Sequence, residues 1–192
     1  LARYENDKRK NGAVMKNKNE IRKIIKNKRE SLDKNYIEIY SKEITENFIK
    51  TSLYQNANTI MSYIPIKNEV DTSFINKKIL EDNKTLILPS IINDIVYPKL
   101  YNENFINGKY DIKEPTGDIF TGKIDLVIVP GVAFDKNKNR IGFGKGYYDK
   151  FLQNHLSSIK ISLIYPFQLV EKIDNEKHDI KLDYIIDNIH II

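Results

Sequence analysis

Two spacings of apolar residues alternate along this 192-residue chain. Near the start, Ile21, Ile24, Ile25 and Leu32 recur at helical spacing. Ile37, Tyr40, Ile44 and Phe48 follow at steps of three, four and four. Residues three and four apart share one face of a helix, so these stripes predict two amphipathic helices, the first starting near Lys18. The spacing then shortens. Residues 59–64 form a compact apolar run closed by Pro65, and residues 85–88 form another closed by Pro89. Such short runs predict buried strands. Between them, Asp71, Thr72 and Ser73 offer a helix cap ahead of an apolar face of Phe74, Ile75, Ile79 and Leu80. Further strands are predicted at 95–101, 124–129 and 159–165, with a β-rich end at 184–192. Elsewhere in 91–122 the apolar clusters are short and broken by Asn, Gly and Pro, and irregular chain is predicted through Glu114 and Pro115.

Strands alternating with helices predict an α/β fold, a three-layer αβα sandwich with a largely parallel, Rossmann-like central sheet. Ligands of such sheets bind beyond the C-terminal ends of the strands. Residues 15–192 are expected to form a single domain, with no internal repeat and no interdomain linker. The first fourteen residues are polar, aperiodic and of mixed charge, and are expected to be a vector-derived or disordered leader.

Composition narrows the chemistry. The chain has no cysteine, so thiol catalysis and thiolate metal sites are excluded. Its three histidines do not make a zinc site. No apolar run approaches the length of a membrane span. The net charge is +5, but the basic residues are spread evenly and do not alternate with aromatics, so neither a nucleic-acid platform nor a membrane partner is expected. A cytoplasmic monomer is the expectation.

One stretch stands out. Arg140-Ile141-Gly142-Phe143-Gly144-Lys145-Gly146-Tyr147-Tyr148-Asp149 places three glycines at alternate positions, between the 124–129 strand and a helical pattern of Tyr147, Tyr148, Phe151, Leu152 and His155. Glycines let backbone N–H groups approach an anion closely, and a helix start adds partial positive charge. The stretch is not a P-loop, because no Gly-Lys-Ser or Gly-Lys-Thr follows. It is not a dinucleotide fingerprint, because Tyr147 stands where the third glycine would be. With Arg140, Lys145 and Asp149 around the glycines, an anion-plus-metal site is preferred over a plain turn.

These ten residues, preceded by Val129-Pro130-Gly131-Val132-Ala133-Phe134-Asp135, resemble the signature of the 5-formyltetrahydrofolate cyclo-ligase, or methenyltetrahydrofolate synthetase, family. The resemblance extends to Lys18-Asn19-Glu20-Ile21-Arg22 and to Glu69-Val70-Asp71-Thr72. It implies ATP-dependent cyclisation of 5-formyltetrahydrofolate to 5,10-methenyltetrahydrofolate, with release of ADP and phosphate. Lys18, Arg22, Arg140 and Lys145 would meet ATP phosphates, with Arg140 and Lys145 acting in catalysis. Ile141, Gly142, Phe143, Gly144, Gly146, Tyr147 and Tyr148 would complete the ATP site. Ile64, Glu69, Phe143, Gly144, Lys145, Gly146 and Tyr147 would hold the folate. Asp149 and Asp179 would bind Mg²⁺, the expected cofactor.

On the residues alone several of these positions have plainer readings. Lys18 and Arg22 would be a solvated basic face, and Asp71 suits a helix start. Asp179 would be a surface turn, and Asp183 competes with it as metal ligand. His178 is read as a capping or supporting residue. Arg29, further along the first helix, is read as structural or simply exposed. A small-molecule kinase on the same phosphate site and a non-catalytic nucleotide-binding module are the alternatives. No Ser, His and acid stand at the spacing of a hydrolytic triad.

Overall fold

The computed structural model describes residues 17–109, 112–176 and 179–192, so the leader and His178 fall outside the described residues. A six-stranded sheet runs in the order β11-β9-β6-β1-β2-β3. Its strands are β1 (Thr59–Met61), β2 (Thr85–Ile92), β3 (Ile95–Leu100), β6 (Leu126–Ile128), β9 (Ile159–Leu163) and β11 (Tyr184–Ile186). Every neighbouring pair is parallel except β2 and β3, which form an antiparallel hairpin.

Side chains alternate across a strand, so a sheet buried on both faces needs apolar residues at consecutive positions. Ile60, Leu86, Leu88, Leu126, Ile128 and Ile161 point to one core, where they meet Ile44, Phe48, Ile75 and Ile79. Those partners come from α2 (Lys34–Ile49) and α4 (Ser73–Glu81), with α3 (Ser52–Asn56) beside them. Met61, Ile87, Val127 and Ile185 point the other way, towards Phe151 and Leu152 of α5 (Tyr147–Gln153). The arrangement is the expected αβα sandwich.

The remaining helix, α1 (Lys18–Glu30), packs elsewhere. Its Ile21 and Ile25 join Val132, Ala133, Ile141 and Ile173 in a separate small core. That core lies against a three-stranded sheet of β7 (Ala133–Asp135), β8 (Arg140–Ile141) and β10 (Leu169–Val170). The buried stripe of α1 is Ile21, Ile25 and Arg29, a narrow i, i+4, i+8 row, whereas Ile24 is exposed. The predicted face is thus corrected: an arginine occupies a place that hydrophobic patterning cannot assign.

Other expectations are corrected as well. Pro89 does not end β2. It stands opposite Pro98. Tyr101 N–H donates to the Leu86 carbonyl, which fixes the alternation and makes Pro89–Pro98 a non-hydrogen-bonded pair that needs neither N–H. The 101–115 stretch is not wholly irregular, since β4 (Phe105–Asn107) pairs with β5 (Lys113–Pro115). β1 and β6 are shorter than their apolar runs, and the β7–β8 hairpin was not foreseen. Thr72 precedes α4 without capping it; its hydroxyl donates to the Tyr63 carbonyl, and Asp71 accepts from Ser73 N–H instead. Leu80 is exposed.

Candidate active site

β1 and β6 deliver their loops to the same end of the sheet, and the glycine stretch, α1 and the 64–72 loop converge there. After β6 the chain turns at Pro130 and Gly131 and builds the β7–β8 hairpin. Buried Asp135 shapes the hairpin by accepting from the backbone N–H groups of Asn137, Asn139 and Ile173. Gln168 is also buried and donates to the Gly131 and Val132 carbonyls. β8 then runs straight into the glycine turn, which ends at α5.

Gly144 and Gly146 hold φ of +99° and +68°, a region side chains resist. A Cβ on Gly146 would meet no atom within 4 Å, so its requirement is conformational rather than steric. Gly146→Ala is therefore expected to destabilise the protein by about 1–2 kcal/mol. Thermal denaturation measures this; a wild-type melting temperature would show that the turn tolerates a side chain.

Cations approach this turn from two sides. From α1, Arg22 donates through Nε to the Gly142 carbonyl at 2.9 Å, and Asn19 holds its Nη1 at 2.6 Å. Lys18, one turn earlier, pairs with Asp179 at 2.6 Å and Glu176 at 2.7 Å. Burial alone would lower the Lys18 ammonium, but these two carboxylates hold it above its ordinary value. From β8, Arg140 is buried and donates to Asp149 at 2.8 Å and to the Pro130 carbonyl at 3.3 Å. Its Nε finds no partner. Lys145 is exposed on the turn. Lys26 adds to the group: burial, Lys67, Arg22 and Arg29 all push its ammonium below the ordinary value, and it lies 5.3 Å from the Phe143 ring.

Glu69 is buried at the end of the 64–69 loop. Its Oε2 accepts from Ile66 N–H at 3.0 Å, while its Oε1 accepts no hydrogen bond. Burial pushes its carboxyl up to about 7, against the pull of Arg29 and the Ile66 N–H. Tyr148 brings a second buried oxygen without a hydrogen bond, and burial beside Glu69 raises its hydroxyl well above the usual phenol range. Unpaired buried polar atoms are costly, so a cluster of them marks a place where a ligand can supply the partners. Ile64 packs against the core beside this loop. Tyr147 lies outward, its hydroxyl donating to Asp94 at 2.5 Å. Its ring lines an apolar cleft of ≈ 490 Å³ with Tyr97, Pro98 and Phe120.

Asp149 sits in the first turn of α5, and Ile180 N–H donates to its Oδ1 at 3.4 Å. The segments carrying Asp149 and Asp179 therefore touch. Asp183 is drawn away, accepting from Lys160 N–H at 2.7 Å and pairing with Lys160 Nζ. Among the described residues no three or more His, Cys, Asp or Glu stand together as a metal cage. No described helix is long and apolar enough to cross a membrane.

A sequence model of the 5-formyltetrahydrofolate cyclo-ligase family matches residues 14–188, nearly the whole chain. The chain belongs to this family. It is 34% identical over 181 residues to the 5-formyltetrahydrofolate cyclo-ligase of Mycoplasma genitalium, covering 91% of this chain and 99% of that one. It is 29% identical over 163 residues to the mouse enzyme, covering 74% and 79%. The NMR structure of Aquifex aeolicus 5,10-methenyltetrahydrofolate synthetase superposes with a TM-score of 0.82 at 30% identity, covering 91% of each chain. The Mycoplasma pneumoniae synthetase superposes with a TM-score of 0.75 at 28% identity. The activity class is accordingly that of a ligase. The structure brings the α1 cations, Glu69 and the 140–149 stretch together through Arg22 on Gly142 and Arg29 between Glu69 and Phe143, and places Lys18 one turn from Arg22. It adds Lys26, Arg29 and the Tyr97–Pro98–Phe120 wall, none of which the sequence assigned to a ligand.

Proposed function

We propose that the chain couples ATP cleavage to ring closure of 5-formyltetrahydrofolate, with the phosphates between α1 and the glycine turn and the folate against Glu69 and Tyr147. The observation that carries this is the contact of Arg22 with Gly142, which sets the α1 cations facing the glycine turn across 120 residues of chain. A formyl amide is a poor electrophile, and its oxygen is a poor leaving group. Transfer of the γ-phosphoryl to that oxygen makes it a good one; N10 then attacks the activated carbon and phosphate departs. Lys18, Arg22, Arg140 and Lys145 stabilise charge that spreads over the phosphoryl oxygens, and the rigid turn aligns the reactants. No residue needs to form a covalent intermediate.

The two carboxylates beside this turn fit Mg²⁺, which takes few protein oxygens and completes its shell with water and phosphate. Asp149 and Asp179 would hold it, where it would neutralise phosphate charge. Glu69 Oε1 and the Tyr148 hydroxyl, which make no hydrogen bond, offer oxygens to the N–H groups of the reduced pterin, and the apolar wall beside Tyr147 suits the flat remainder of the ligand. We take the enzyme to act as a cytoplasmic monomer. The deciding assay mixes the protein with MgATP and 5-formyltetrahydrofolate and follows the near-ultraviolet band of the methenyl product. ATP consumption without that band would favour a kinase acting on another acceptor.

Glu69 adds a pH signature. Its folded carboxyl titrates near 7, above its ordinary value of 4.5, so the ligand-free fold holds this proton more tightly than the unfolded chain does. The contribution to stability is present at low pH and is lost as pH rises from 4.5 through 7, on the order of 3 kcal/mol. Glu69→Gln is expected to flatten that slope in thermal denaturation while weakening folate binding and sparing ATP binding. Equal losses for both ligands would return Glu69 to a purely structural role.

A further inference from the structure

Arg29 is 1% exposed and is the cation nearest Glu69, with Nη1 3.7 Å from Oε1. Its other contacts tie down the surroundings. Nε and Nη2 donate to the Lys67 carbonyl at 3.1 and 2.8 Å, Nη2 also to the Ile66 carbonyl at 3.1 Å, and Nη1 to the Gly131 carbonyl at 3.4 Å. The Phe143 ring lies 5.5 Å from the guanidinium carbon. One planar fork thus touches the turn before Glu69, the loop after β6, Glu69 itself and the glycine stretch. The turn needs this support. Lys67 and Asn68 hold φ of 48° and 56°, the left-handed region that costs residues with side chains. Asn68 closes the arrangement by donating to the Arg29 carbonyl at 3.0 Å.

We propose that Arg29 is the positioning residue for folate recognition: it fixes the 66–69 turn and holds the Glu69 carboxylate aimed at the N–H groups of the reduced pterin. The proposal rests on Glu69 holding the folate. The groups facing Glu69 are Arg29 from α1, Tyr63 after β1, Tyr148 from α5 and Tyr165 after β9, whose hydroxyl donates to the Glu69 carbonyl. Arg140 lies beyond Tyr148. The three phenols are raised by burial and stay neutral, so Arg29 is the near charge that opposes the burial of the Glu69 carboxyl and favours its ionised form. Without it, Glu69 would retain its proton to higher pH and lose acceptor capacity. Lysine would keep a charge but could not span four acceptors in one plane.

The test measures direct binding of 5-formyltetrahydrofolate and, separately, of ATP, across a pH series. Arg29→Met is expected to weaken folate binding at neutral pH by about tenfold or more. ATP affinity should be preserved, and folate affinity should partly recover as pH rises. Arg29→Lys should move folate affinity in the same direction by less, and it decides the matter if Arg29→Met does not fold. Glu69→Gln measured alone tests the underlying reading: undiminished folate affinity there removes Glu69 from the site. If Glu69→Gln does weaken folate binding, adding Arg29→Met to it should cost little more, because the positioning residue acts through Glu69. A full additional loss in that double variant, or folded Arg29 variants whose folate affinity and pH profile match the wild type, would overturn the proposal.

Discussion

Arg140→Ala should be the most damaging single change at the phosphate side, lowering both activity and stability. Arg140 is almost fully buried, and its side chain sits against Asp149 at 2.8 Å. Truncation leaves that carboxylate without its cation in a part-buried site, a loss of about 3 kcal/mol, or roughly 6–12 °C in melting temperature for a chain of this size. Loss of the contact to phosphate oxygens proposed above should lower kcat/KM for ATP by about 10–100-fold. Lys145→Ala provides the contrast. Lys145 is exposed and makes no hydrogen bond or ion pair among the described residues, so the kinetic loss should come with an unchanged melting temperature. If Arg140→Ala lowers the melting temperature but leaves ATP kinetics intact, its role is structural.

The metal side carries the second large effect. Each carboxylate assigned to Mg²⁺ is paired with a cation assigned to phosphate: Asp149 with Arg140 at 2.8 Å, Asp179 with Lys18 at 2.6 Å. Arrival of MgATP would exchange both partners, phosphate taking the cations and the metal taking the carboxylates. Mg²⁺ without nucleotide should therefore bind weakly, and calorimetry should show each ligand strengthening the other. Asp149→Asn and Asp179→Asn should each raise the Mg²⁺ needed for half-maximal activity by about tenfold or more. The double variant should lose less than the sum of the singles, because the site is already broken. The stability effects should differ. Asp149→Asn strands buried Arg140, whereas Asp179→Asn leaves Lys18 with Glu176 at 2.7 Å. Additive losses, with Mg²⁺ dependence unchanged in Asp179→Asn, would return Asp179 to an ordinary turn residue.

The layered architecture was legible because burial on both faces of a sheet leaves consecutive apolar residues, as in Leu126-Val127-Ile128, and helices leave stripes such as Ile44 and Phe48. The glycine stretch was legible because its composition has few other uses. Strand ends were not. Pro89 lies inside β2 because its partner across the hairpin is another proline, a pairing that depends on register and not on local sequence. The β7–β8 hairpin has no such signature, because buried Asp135 ties its turn, through Asn137 and Asn139 N–H, to the distant Ile173 N–H, a contact only folding creates.

What the sequence by itself determined is the set of chemical groups: three glycines, the flanking cations and acids, and an order of elements that places them at strand ends. The tertiary structure decided how those groups are partnered. Only folding brings Arg22 of α1 to Gly142, and Ile180 to Asp149, contacts that no spacing encodes. Arg29 shows the difference most clearly. As one more basic residue on a helix it carries no signal, since an exposed and a buried arginine look alike in a sequence. In the fold it is desolvated, spans the carbonyls of Ile66, Lys67 and Gly131, and faces Glu69. Burial and long-range pairing set the charge and aim of such a group, and both arise only when separate segments pack together.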